Sequence, residues 1–204
     1  RGGGGGRWRG GGRLGPLCGL PPARNPMGWL NNGDRQAAAQ VIPPHTPDAP
    51  VIALGPTANW HGKIWPTEHY LPIWQQLAAT YPQARPAIFY GPGPQEAELA
   101  RPVLHALPHA IDAGGRFALT ETAAMLARCA LYIGNDSGLM HLAAAAGTPT
   151  LGLFGPSRAS EYAPTGAMTH WVEAPGPEGL APIAGLSVER VAHAALALLR
   201  QSRT

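Results

Sequence analysis

The stretch that most constrains this chain is residues 131–156, LYIGNDSGLMHLAAAAGTPTLGLFGP. A short apolar run (131–133) meets a polar turn (134–138), and an Ala-rich segment (139–146) then runs to Gly147. Thr148 and Pro149 lead into a second apolar run (150–154), closed by Gly155-Pro156. Strand, turn, helix, turn and strand make a βαβ unit, in which two parallel strands share a sheet and the helix covers it. Asp136, Ser137 and Gly138 sit where the first strand becomes the helix, with His141 one turn on. Open α/β sheets bind ligands at such a place. The helix start offers unpaired N–H groups and partial positive charge, which suit a phosphate.

The same alternation extends along the chain. Residues 51–54 read as a buried strand ended by Gly55-Pro56. A loop runs on to Lys63, and then comes a helix with Leu71, Trp74, Leu77, Ala78 and Tyr81 on one face. Pro72 does not suit a helix interior, so either a kink there or a start near Leu71 is expected. Residues 86–90 give a second strand, 95–107 a second helix and 110–112 a short third strand. Thr120 is the expected N-cap of a helix reaching Arg128, with Glu121 in its first turn. After the βαβ unit come a loop (157–168), a strand (169–172) and a Pro/Gly-rich connector (174–186). The last helix has Ser187 as N-cap and Val188, Val191, Ala195, Leu198 and Leu199 on one face. Strands alternating with helices predict an α/β, Rossmann-like, doubly wound parallel sheet.

Composition separates the front of the chain from this domain. Residues 1–16 are an Arg/Gly tract, and Pro21, Pro22, Pro26, Pro43, Pro44 and Pro47 interrupt residues 17–48. Such a segment buries too little apolar area to offset its ordering entropy, so 1–48 is expected to be a disordered tail and 49–204 the folded domain. An Arg/Gly tract also suits RNA, which gives one rival reading as a non-catalytic binding module. The net charge of +3 is too small to argue for a specific nucleic-acid partner, and five of the 15 basic residues lie in the first 24 positions. Cys18 and Cys129 have no metal or redox spacing; a buried Cys129 thiol fits a reducing, cytoplasmic compartment. No apolar run approaches the ~18–20 residues of a bilayer-spanning helix.

Four strand-end loops can build a site: 55–65, 91–96, 113–119 and 134–141. Lys63, the one lysine of the chain, stands beside Gly62 and could reach a diphosphate; a plain surface role is the alternative. Thr57 offers a hydroxyl or a backbone donor, or only caps a turn. Glu96 opens a helix, where the dipole alone would favour it, and could also accept two ribose hydroxyls. Phe117 could lie on an adenine face or pack in the core. Ser137 and His141, at i and i+4, share a helix face, and Gly138 allows a ligand close to the backbone. Asp136 is either an N-cap or, better, an acceptor for sugar hydroxyls, since an anion beside a phosphate is otherwise unfavourable. Walker-type, dinucleotide-fingerprint, nucleophile-elbow and metal-ligand spacings are all absent from the sequence.

The segments 55–60 and 63–66, then 91–96, 134–141, 146–149 and 153–156, come in an order that resembles the C-terminal half of the family 9 glycosyltransferases, the heptosyltransferases. The resemblance covers about residues 50–200. It implies a GT-B fold with this piece as its nucleotide-sugar domain, and ADP-heptose as donor. Thr57 and Lys63 would then hold the diphosphate, Glu96 the ribose and Phe117 the adenine side. Asp136, Ser137, Gly138 and His141 would meet the heptose and phosphates. It further implies an inverting, metal-independent transfer to a lipid-linked lipopolysaccharide core saccharide, with peripheral contact at the inner membrane and no cofactor. The family's acceptor domain and its aspartate base have no counterpart in residues 1–48, so a fragment lacking both is expected. A GT-B transferase using another nucleotide sugar is the nearest rival.

Overall fold

The computed structural model describes residues 29–202. Its strands are β1 (Val51–Gly55), β2 (Arg85–Ile88), β3 (Ile111–Asp112), β4 (Leu131–Asn135), β5 (Thr150–Phe154) and β6 (Thr169–Glu173). They form one sheet in the spatial order β3-β2-β1-β4-β5-β6, with every neighbouring pair parallel. This is the doubly wound order, in which the chain starts at the centre, winds to one edge and returns to build the other half. Direction reverses between β1 and β4, where Gly55 pairs with Gly134. The α/β, Rossmann-like expectation is met.

Both faces of the sheet are covered. Ile52, Leu54, Leu131, Ile133, Leu151 and Leu153 point to one side, against α2 (Tyr70–Thr80), α3 (Pro94–Ala106) and α7 (Val188–Gln201). Val51, Ala53, Tyr132 and Phe154 point to the other, against α1 (Asn32–Val41), α4 (Leu119–Leu126) and α5 (Gly138–Ala145). A strand alternates its side chains between faces, so burial on both makes the central strands β1, β4 and β5 buried throughout rather than at every second residue, while the edge strands β3 and β6 are only partly buried. α7 carries the expected apolar face, with Ser187 capping it by accepting the Arg190 N–H.

Four local expectations are corrected. Residues 32–41 are the helix α1 rather than part of a disordered tail. Asn31 and Asp34 cap each other's backbone N–H reciprocally, Leu30, Ala38 and Ile42 are buried, and Thr120 donates to Asp34. The Arg/Gly tract itself lies outside the described residues. α2 starts at Tyr70 after a 3-10 turn (Thr67–His69), which meets the expected start near Leu71 and puts Pro72 in the first turn, where no kink is needed. What is corrected in α2 is its face: Leu77 and Tyr81 of the expected stripe are buried, but the stripe turns toward Tyr70 and Ile73, leaving Leu71 exposed and Trp74 only partly buried. α4 is capped at Ala118, whose N–H goes to Glu121, because the Thr120 hydroxyl is committed to α1. The loop after β5 contains one helical turn, α6 (Ala159–Tyr162). Cys129 is buried, and burial raises its thiol well above the ordinary range.

Candidate functional site

The centre of the site is the crevice between the C-terminal ends of β1 and β4. Glycines clear it. Gly55, Gly134 and Gly152 are paired across β1, β4 and β5, and they share the face that α5 covers. A methyl on Gly134 would meet the Tyr132 ring and come within 2.8 Å of the Gly55 carbonyl; one on Gly152 would come within 2.7 Å of Met140 Sδ. With no side chains in that row, the Ala-rich α5 settles close to the strands through Met140, Ala143 and Ala144. Its N-terminus is thereby held at the point where strand order reverses. The three glycines act by permitting close approach, not by unusual backbone angles, since none has positive φ.

The loop after β1 is tied to the end of β4. Asn135, fully buried, accepts the Trp65 backbone N–H at 3.0 Å and donates to the Thr57 carbonyl at 3.5 Å. Trp65 is buried too, and its indole N–H donates to the Leu186 carbonyl at 2.8 Å. These ties bring Lys63 across the crevice, where its ammonium lies 2.6 Å from Asp136 Oδ2. The carboxylate side chain is 5% exposed and the ammonium side chain 21%, so the pair is largely withdrawn from water. Lys63 also stands 5.5 Å from the centre of the half-exposed Tyr162 ring. Among the sequence-derived residues, Lys63 and Asp136 are thus in direct contact, and Thr57 is buried at the base of the same loop.

The N-cap of α5 is Ser137, not Asp136, and the Ser137 hydroxyl makes no capping bond. Gly138 is the first helical residue, and a methyl there would meet no protein atom within 4 Å. The fold itself therefore places no steric requirement for glycine at 138. His141 is exposed in the next turn. Two strands away, Glu96 is the third residue of α3 and accepts the Gly91 N–H at 3.1 Å, closing its own turn. Phe117 packs partly on the core, with the Arg116 guanidinium 4.7 Å from its ring centre. Along the sheet edge, the candidates fall in the order Phe117, Glu96, then Thr57 with Lys63, then Asp136–Ser137–Gly138.

None of the eight candidates lines the apolar groove beside them. That groove, about 670 Å³, is walled by Trp60, Ile64, Pro66, Pro102, Leu180 and Ile183, among others. Asn135, Tyr132 and Tyr162 were not among the residues that the sequence pointed to. Asn135 stands inside the Gly134–Gly138 turn, and its position at a strand end was the available signal. Tyr162 had none, because its turn of helix lies in a Pro/Ser-rich loop. Among the described residues no cluster of three or more His, Cys, Asp or Glu could hold a metal, and no helix is long and apolar enough to cross a membrane.

Residues 18–177 match the family model described as glycosyltransferase family 9 (heptosyltransferase). The chain belongs to that family. The match begins ahead of β1, so it takes in α1 as well as the sheet. The family 9 chain is 30% identical over 123 residues to lipooligosaccharide heptosyltransferase 2 of Haemophilus influenzae, which is 57% of this chain and 34% of that protein. It also resembles a solved glycosyl transferase family 9 structure from Veillonella parvula (TM-score 0.73, 26% identity, 84% of this chain and 53% of that one). A third likeness, in fold, is to the E. coli ADP-heptose lps heptosyltransferase II (TM-score 0.71, 24% identity, 86% and 54%). The family 9 chain spans about a third of the length of the curated relative and about half of each solved one.

Proposed function

We propose that residues 50–200 bind the nucleoside-diphosphate sugar of a heptosyltransferase, with ADP-heptose as donor and a lipopolysaccharide core saccharide as acceptor. The observation that carries the reading is the Lys63 ammonium beside the N-terminus of α5 at the β1–β4 crevice. Cation and helix amides together suit a diphosphate. The order of the candidates supports it. From the loop after β3 to that after β4 there are three strand spacings of about 4.8 Å, or roughly 14 Å, the scale of an extended nucleotide sugar. Phe117 would take the base, Glu96 the ribose, Thr57 and Lys63 the diphosphate, and Asp136 and His141 the sugar end. The donors named for similar proteins, ADP-heptose among them, point the same way.

In the transfer, an acceptor hydroxyl attacks C1 of the heptose as the C1–O bond to ADP breaks on the opposite side, inverting that centre. The negative charge gathering on the departing diphosphate is met by Lys63 and the α5 amides, with no metal ion required. The hydroxyl proton passes to a base outside residues 50–200, in the acceptor-binding part. Asp136 holds Lys63 in place until the phosphates draw the ammonium away, and is then free for a sugar hydroxyl.

Thermal unfolding of the full chain with ADP, with UDP and without nucleotide tests this. ADP is expected to raise the midpoint more than UDP does, and Lys63→Ala to abolish the gain. Equal protection by ADP and UDP would favour a transferase using another nucleotide sugar; no protection by either would reject the donor-site reading.

A further inference from the structure

Four buried side-chain polar atoms among the described residues have no hydrogen-bond partner: His69 Nδ1, Tyr132 Oη, Ser137 Oγ and Ser157 Oγ. Two of them meet at one place. Tyr132, on β4, is fully buried, and its ring leans along the strand toward the crevice, across the Cα positions of Gly134 and Gly55. The hydroxyl ends beneath the N-terminus of α5, where Ser137 is the polar side chain that approaches it. Ser137, at the N-cap, leaves its own hydroxyl uncommitted to the helix.

A buried hydroxyl left without a partner costs about 1–3 kcal/mol. Here two hydroxyls stand close enough to bear on each other as hydrogen-bonding groups, yet neither has a partner of good geometry. Gly134 and Gly55 keep the space in which the phenol lies, and a phenylalanine would fill it equally well, so packing does not account for the hydroxyl. A partner supplied on binding does. Phosphate oxygens only accept, so a serine serving one must donate its single proton outward. That leaves the serine lone pairs to be met from inside the protein, and Tyr132 has a proton to give.

We propose that Tyr132 is a positioning residue for the donor. Its hydroxyl donates to Ser137 Oγ, and the Ser137 O–H is thereby turned toward a phosphate oxygen at the start of α5. This rests on the donor-site reading above. Burial raises the phenol well above the ordinary range, the Ser137 hydroxyl opposes that rise, and the nearby Glu96 charge adds to it. Tyr70, on the opposite face, donates to the Gly55 carbonyl at 3.4 Å and cannot substitute.

The test is ADP titration by calorimetry on the full chain, as wild type, Tyr132→Phe, Ser137→Ala and the double variant, each with its unfolding midpoint. Tyr132→Phe removes one oxygen and is expected to leave the ligand-free midpoint in place or raise it slightly. It should weaken ADP binding by about three- to tenfold, the range of one hydrogen bond. In the Ser137→Ala background the same change should have no further effect, because Tyr132 acts through Ser137. Equal ADP affinity of wild type and Tyr132→Phe overturns the proposal and leaves the donor site standing. So does a lowered midpoint with unchanged affinity, or an additive loss in the double variant. Absence of ADP binding by the wild type overturns both.

Discussion

The two halves of the sheet's C-terminal edge are held in different ways. On the β1–β4 side the ties that join the two loops are long in sequence: Lys63 to Asp136 spans 73 residues, Trp65 to Asn135 spans 70, and Asn135 to Thr57 spans 78. On the β2–β3 side the backbone also joins the two loops, the Gly115 N–H donating to the Tyr90 carbonyl at 3.1 Å, but the ties of the candidate side chains are local. Glu96 closes on Gly91 five residues away, and Arg116 covers its neighbour Phe117. Long-range ties exist only once the sheet is complete, so the β1–β4 half is set by the fold. The candidate side chains of the other half are held by turns. A diphosphate, charged and alike in every nucleotide sugar, suits a fixed site. A base and its ribose are contacted by side chains that can shift.

Substitutions can break this contrast, beginning with Gly134→Ala. The added methyl meets the Tyr132 ring and the Gly55 carbonyl, neither of which has room to move. A loss of about 3 kcal/mol in urea unfolding is expected, the upper end of ordinary overpacking. Gly138→Ala, four residues on, meets nothing and should leave stability unchanged while weakening ADP binding. Next is Asn135→Ala against Glu96→Ala. The first leaves the buried Trp65 N–H without a partner and should cost about 2 kcal/mol. The second frees a half-buried Gly91 N–H that water can reach, and should cost less than about 1 kcal/mol. Equal costs for the two would mean that both halves are fixed alike.

Much of the fold was legible. All six strands were located; the central ones stood out because a parallel strand buried on both faces reads as a continuous apolar block, and the edge strands β3 and β6 followed from the alternation of strand and helix. Helix α1 was not legible in this way. It buries only a narrow stripe, and the prolines around it outweighed the Asn31–Asp34 cap. The face of α2 came out one position round because Tyr70 and Ile73, which the core uses, are as apolar as the Leu71 and Trp74 beside them. At the site, Lys63 and Asp136 could be singled out by residue type and turn position. Their pairing could not, since it depends on Asn135 drawing a distant loop over β4. Tyr132 was hidden for the same reason. It reads as one more strand residue until the paired glycines show where its hydroxyl goes.

The central claim is that the donor's diphosphate sits over the β1–β4 crevice at the start of α5. Hydrogen exchange of the full chain, monitored by mass spectrometry with and without ADP, tests it most directly. Slowed exchange is expected to concentrate in residues 56–65 and 136–141, with smaller changes at 91–96 and 113–119. Slowing confined to the groove walled by Trp60, Leu180 and Ile183, with residues 136–141 unchanged, would contradict it.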